Sequence, residues 1–119
     1  MKTCDVVIPT YNNAQVLIRA ITAIQAQEVP AGWQLGIVVG DDGSTDNTAH
    51  QLKSLKNNQS ITYLPGEHSG IAATRNRCLR QSQADVILFL GADILVQQGA
   101  VREHINFHDQ HPEPQAAAV

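Results

Sequence analysis

The stretch DVILFLGADILV, residues 85–96, decides how the rest of the chain is read. Val86, Ile87, Leu88, Phe89 and Leu90 are apolar without interruption, and they run into Gly91, Ala92 and Asp93 before the apolar character resumes. A strand with one wet face alternates apolar and polar residues, whereas an unbroken run suits a strand covered on both faces. Asp93 then stands where a buried strand meets a loop, a common place to hold a metal ion.

Other segments repeat the pattern. Residues 5–8 form a β-branched strand that Pro9 stops. Asn12 or Asn13 can cap the helix that follows, in which Leu17, Ala20, Ile21 and Ile24 share one face up to the turn at residues 30–32. A second strand at 35–39 ends at Gly40-Asp41-Asp42-Gly43-Ser44. Ser44, Thr45 or Asp46 can cap a helix running to about Lys56. A third strand occupies 60–64, closed by Pro65-Gly66, and residues 70–79 are helical in composition. An amphipathic helix is expected at 100–111, stopped by Pro112. Strand and helix alternate four times, which predicts an α/β fold: a doubly wound, mostly parallel sheet in one domain spanning residues 1–119. Ligands of such sheets bind beyond the carboxyl ends of the strands. The loops expected there are 9–13, 40–46, 65–70 and 91–94, and three of the four are the most polar, glycine-rich or acidic parts of the chain.

Composition narrows the classes. The 119 residues are 43% apolar and 16% charged, with a formal net charge of −3 and no basic tract, so no nucleic-acid partner is expected. No apolar run approaches the ~18–20 residues that cross a bilayer. Asp5 and Pro9 interrupt any signal-peptide core, so the expected location is cytoplasmic. Cys4 and Cys78 match no metal or redox spacing and read as buried, reduced thiols.

Asp41, Asp42 and Asp46 lie within six residues at a strand-to-helix turn. Capping needs one of them, and two adjacent aspartates before the cap point to hydrogen bonds with a ribose or base. There is no G-x-G-x-x-G and no G-x-x-x-x-G-K-S/T, so a divalent cation and an arginine are left to handle phosphates. Arg75 shares a helical face with Ile71, Ala72 and Leu79 and lies close to the strand end, whereas Arg77 and Arg80 point elsewhere and read as solvated. His104, His108 and His111 fall at i, i+4 and i+7, but Ile105 and Phe107 suggest packing, and these histidines read as structural or surface groups.

Four stretches, Val7-Ile8-Pro9-Thr10-Tyr11-Asn12, Asp41-Asp42-Gly43-Ser44-Thr45-Asp46, Ala73-Thr74-Arg75-Asn76 and Phe89-Leu90-Gly91-Ala92-Asp93, together resemble glycosyltransferase family 2 in order and spacing. The resemblance spans nearly the whole chain. It implies the GT-A, Rossmann-like fold and a nucleotide-diphospho-sugar donor. It also implies that Pro9, Thr10 and Tyr11 line the nucleoside pocket, that Asp41 or Asp42 bonds the uracil or ribose, and that Arg75 faces the diphosphate. Asp93 matches the last acid of the family's D-x-D motif, which holds Mn²⁺ or Mg²⁺. Inversion with a carboxylate base activating an acceptor hydroxyl (on a glycan, lipid or protein) is implied in the same way.

Two departures stand out. Gly91 replaces the first acid of D-x-D and Ile94 follows Asp93, so the site looks like a Gly-Asp-Asp branch with Ala92 in place of one aspartate. The family's base comes from an acceptor half beyond residue 119, so the chain reads as a truncated nucleotide-binding half. A location at the inner face of the membrane and a homodimer paired through an open edge strand are further expectations. The rival is a non-catalytic nucleotide-binding or interaction module with a degenerate metal site. A receiver-like fold would need a lysine at a later strand end, and none follows Lys56.

Overall fold

The computed structural model describes residues 2–55 and 60–91, together with Glu103 and Ile105. The elements run β1 (Lys2–Thr10), α1 (Ala14–Gln25), β2 (Trp33–Asp41), α2 (Thr48–Lys53), β3 (Ile61–Pro65), α3 (Ile71–Gln81) and β4 (Val86–Phe89). The strands form one sheet in the order β3-β2-β1-β4, and every pairing is parallel. The chain steps outward from β1 to β3, then crosses back to place β4 on the other side of β1. The strand order therefore reverses between β1 and β4.

The unbroken apolar runs have the expected cause, because both sheet faces are covered. Cys4, Val6 and Ile8 of β1 pack with Ile37, Val39 and Leu88 against Leu17, Ile21 and Ile24 of α1, with Leu52 and Ile105 completing the layer. Val7 and Val38 face the other way and pack with Cys78 of α3. Each fully buried Ile or Leu contributes about 1.5–3 kcal/mol over exposure. That second layer is thin because α3 approaches closely: a Cβ on Gly40 would lie 2.6 Å from Cys78 Sγ and 2.7 Å from Thr74 Cγ2. Cys4 and Cys78 are buried and unbridged, as expected. Burial, with the neighbouring Asp5 carboxylate second, pushes the Cys4 thiol up to about 12, and burial also raises Cys78.

Several boundaries differ from those expected. β1 does not stop at Pro9 but continues to Thr10. Successive residues of a parallel strand turn their amide groups to opposite neighbours. Val7 accepts from Leu90 N on the β4 side and Thr10 accepts from Asp42 N on the β2 side. Pro9 therefore faces β4, whose pairing ends at Val7, and its missing N–H costs no ladder bond. β2 likewise extends to Trp33–Asp41. The helix expected up to Lys56 is shorter, Thr48–Lys53, because residues 44–46 are held by bonds to another segment. Asn13 does precede α1, but its side chain makes no cap bond. Glu103 and Ile105 are helical and Ile105 is fully buried, in keeping with the packing expected of it. His104, His108, His111 and Asp93 lie outside the described residues.

Candidate functional site

The reversal between β1 and β4 opens a crevice at their carboxyl ends, where doubly wound sheets bind ligands. A cavity of about 220 Å³ lies there, lined by Pro9, Thr10, Tyr11, Asn13, Ile71, Arg75 and Gly91. Strand ends supply Pro9, Thr10 and Gly91, and the first turn of α3 supplies Ile71 and Arg75. Thr10 Oγ1 and Arg75 Nε are buried and have no hydrogen-bond partner among the described residues. Buried polar atoms are normally paired, so two orphans on the walls of one crevice point to a polar ligand. The Arg75 guanidinium carbon lies 5.7 Å from the centroid of the Phe89 ring, which holds the charge at the mouth of β4. A larger cavity, about 350 Å³, opens near the start of β2 among Gln25, Val29, Trp33 and Leu35, and its lining includes no ionisable side chain.

Asp41 and Asp42, both buried, do different work from each other. Asp41 Oδ1 accepts from Ser44 N at 2.8 Å, and Oδ2 accepts from the Tyr63 hydroxyl. Burial and the Asp41 carboxylate raise the Tyr63 pKa, so the phenol remains a donor. Asp42 reaches the start of α3, where its carboxylate accepts from Ser69 N at 2.7 Å and from Gly70 N at 3.1 Å. The Ser69 N–H above all, then Gly70, the Thr74 hydroxyl and His68, hold the Asp42 pKa below its ordinary value. Asp42 is thus an anion seated at a helix N-terminus, which the helix dipole favours.

His68 connects this acid to the crevice. Its Nδ1 donates to the Asp42 carbonyl at 3.0 Å and lies 3.0 Å from Asp42 Oδ2. Its ring sits against Tyr11, with centroids 4.4 Å apart and planes 36° apart. Gly43 makes this approach possible, since at its φ of 85° a Cβ would fall 2.7 Å from His68 N. Asn12, at φ 47°, fastens the first loop to the second: it donates from its amide to Ser44 Oγ at 2.8 Å and accepts from Thr45 N at 2.7 Å. Asp46 accepts from Ala14 N at 3.3 Å and from Thr48 N at 3.1 Å, so it serves the starts of both α1 and α2.

The structure brings Pro9, Thr10, Tyr11 and Arg75 together around one cavity. Asp41 and Asp42 stand outside that lining, and Asp42 meets Tyr11 through His68. Asp93 follows Gly91 by two positions. Arg77 corrects an expectation: it is not a solvated arginine, because its Nη2 donates to the carbonyls of Asp41 at 3.0 Å and Leu64 at 3.4 Å. His68, Tyr63, Asn12 and the reach of Asp46 to α1 carried no local signal, since their partners lie 22–34 residues away.

This arrangement has relatives. The family model described as Glycosyl transferase family 2 matches residues 5–118. The chain belongs to that family. It is 30% identical over 106 residues to the glycosyltransferase YfnE of Bacillus subtilis, a match covering 88% of this chain and 26% of that protein. The crystal structure of Staphylococcus aureus TarS 1–349 in complex with UDP-GlcNAc superposes with a TM-score of 0.81 at 26% identity, over 94% of this chain and 32% of that one. The mannosyltransferase PcManGT of Pyrobaculum calidifontis, solved with GDP-Man and Mn²⁺, matches at a TM-score of 0.79 and 24% identity, covering 88% of this chain and 32% of that one. The fold is GT-A, and the chain spans about a third or less of each of these proteins. Among the described residues no helix is long and apolar enough to cross a membrane.

Proposed function

We propose that the chain is the donor-binding part of a glycosyltransferase and takes a nucleotide-diphospho-sugar across the carboxyl ends of β1, β2 and β4. The observation that carries this is the pair of unpartnered buried polar atoms, Thr10 Oγ1 and Arg75 Nε, on residues lining the cavity at the strand-order reversal. An arginine beside a crevice suits a diphosphate, because its fork of N–H donors matches phosphate oxygens. Tyr11 is 48% exposed and offers a surface for a nucleobase, with Asp42 behind it through His68. The family relationship and the UDP-GlcNAc held by TarS support the same class of donor.

A Mn²⁺ or Mg²⁺ ion fits this reading. Among the described residues no three His, Cys, Asp or Glu side chains gather into a ligand set. Asp93 and the diphosphate would hold the ion with water, an all-oxygen donor set that suits these hard cations. Its chemistry would be to neutralise charge on the departing nucleoside diphosphate. The acceptor would supply the hydroxyl, and by analogy with the family the carboxylate base that inversion requires would come from an acceptor-binding half.

Titration calorimetry with UDP, GDP and TDP, with and without Mn²⁺, tests the proposal. Heat with at least one nucleotide is expected, and no heat with any would sink it. Arg75→Ala should weaken that nucleotide about tenfold or more, the size of a lost charge-assisted hydrogen bond. Asp93→Ala should remove the gain that Mn²⁺ confers and leave metal-free binding alone.

A further inference from the structure

Resting on the reading above, we propose that His68 recognises the base. With Tyr11 it forms the aromatic wall of the nucleoside subsite, and its Nε2 accepts a hydrogen bond from a base that carries a ring N–H, as uracil does and cytosine does not. Three observations carry this.

The first is exposure. The His68 side chain is 62% exposed although its ring is fixed on two sides, by Asp42 and by Tyr11. His68 is not itself among the residues lining the cavity, but its exposed ring packs on Tyr11, which is. The second is the tautomer. Nδ1 lies 3.0 Å from the Asp42 carbonyl oxygen and 3.0 Å from Asp42 Oδ2, and both can only accept, since the carboxylate is ionised. Nδ1 therefore carries the proton, and in the neutral ring Nε2 is left as a lone-pair acceptor. The third is the neighbourhood. Tyr11 lines the cavity that holds Arg75, so a base against the Tyr11–His68 wall leaves its diphosphate toward the arginine. Gly43 lets His68 come this close without a side chain between them, and Gly70 turns the chain at a φ of 98°.

The geometry makes a selective statement. Uracil presents N3–H to an acceptor, whereas cytosine presents N3 as a second acceptor, and two lone pairs repel. Titrations of UDP, CDP and inorganic pyrophosphate at pH 8 read both parts separately. The wild-type chain should prefer UDP to CDP by about fivefold to tenfold, the worth of one hydrogen bond. His68→Phe keeps a ring against Tyr11 and should hold UDP within a few-fold while losing the preference over CDP. His68→Ala should weaken CDP by at least about fivefold, the size of a lost base–aromatic stack, weaken UDP further by the lost hydrogen bond, and leave pyrophosphate unchanged. Unchanged UDP affinity in His68→Ala, or a retained preference in His68→Phe, overturns the assignment of His68 while the nucleotide-binding reading stands. A parallel loss of pyrophosphate binding in either variant also overturns it, because His68 would then be holding the fold and not reading a base. If the wild-type chain binds no nucleotide at all, the broader reading fails and this one goes with it.

Discussion

Asn12 concentrates more structure than its exposure suggests. It is the one non-glycine residue at positive φ among the described residues, and its side chain accepts from Thr45 N and Asp46 N, joining the loops after β1 and β2. Asparagine tolerates the left-handed region because its short polar side chain can bond locally, whereas alanine there is strained by roughly 1–2 kcal/mol. Two accepted bonds add about 1–3 kcal/mol at ordinary net values. Asn12→Ala should therefore lower unfolding stability by about 2–5 kcal/mol in urea titrations. Asn12→Gly relieves the backbone but not the bonds, and should recover about 1 kcal/mol of that loss. Equal stability of the two variants would show that backbone strain plays no part. The sequence offers two adjacent asparagines, either of which could cap α1. Only the three-dimensional approach of residues 44–46 reveals that Asn12 bonds across to another loop and that Asn13 makes no cap bond.

At the scale of elements, the segment following β2 serves helices other than its own. Asp46 accepts from the first residue of α1, and Asp42 accepts from Ser69 and Gly70 at the start of α3. Both carboxyls lie below the ordinary value of about 3.9: the Thr48 hydroxyl leads the causes at Asp46, and the Ser69 N–H at Asp42. A group whose folded pKa is depressed stabilises the protein above its unfolded pKa and loses that contribution as pH falls toward the folded value. Stability should therefore be flat from pH 7 to about 5 on account of these two acids, then fall below about pH 4. Asp42→Asn should be less stable at pH 7 and show a shallower fall, which denaturant midpoints at pH 7, 5, 4 and 3 would reveal. An acid limb of unchanged steepness would mean that other carboxylates dominate it. The strands were legible because burial on both faces writes itself into consecutive Val, Ile and Leu. The ends of α1 and α3 were not, because the caps that satisfy them come from some 30 residues away and leave no local mark. Pro9 misled for a similar reason: whether proline stops a strand depends on which neighbour its missing N–H would face.

For the whole molecule, the sheet order brings separate motifs to one crevice, and that crevice gives the last prediction. A parallel α/β sheet follows from the apolar runs, and the rule that ligands sit at strand carboxyl ends then selects the loops that border the cavity at the end of β1. What periodicity leaves open is which strand ends are adjacent, and hence that Tyr11, Arg75 and Gly91 share a cavity while Arg77 supports the end of β2. The two arginines make a paired test. Arg77 bonds two backbone carbonyls, so Arg77→Ala should destabilise the free chain by about 1–3 kcal/mol and leave a nucleotide-induced rise in melting temperature largely intact. Arg75 Nε has no hydrogen-bond partner among the described residues and the guanidinium stands over the Phe89 ring, so Arg75→Ala should lower the free melting temperature by no more than about 4 °C, the worth of that cation–π contact. A nucleotide at 100 times its Kd stabilises a native state by about 2.7 kcal/mol, roughly 10 °C for a domain of this size. At the concentration giving that rise in the wild-type chain, Arg75→Ala should lose about half of it, because a tenfold weaker ligand is then only about tenfold above its Kd and stabilises by about 1.4 kcal/mol. Thermal scans with and without UDP separate the two roles. If Arg75→Ala melts lower without nucleotide yet keeps the full UDP shift, its guanidinium belongs to the scaffold, and the crevice between β1 and β4 must hold the diphosphate by other groups.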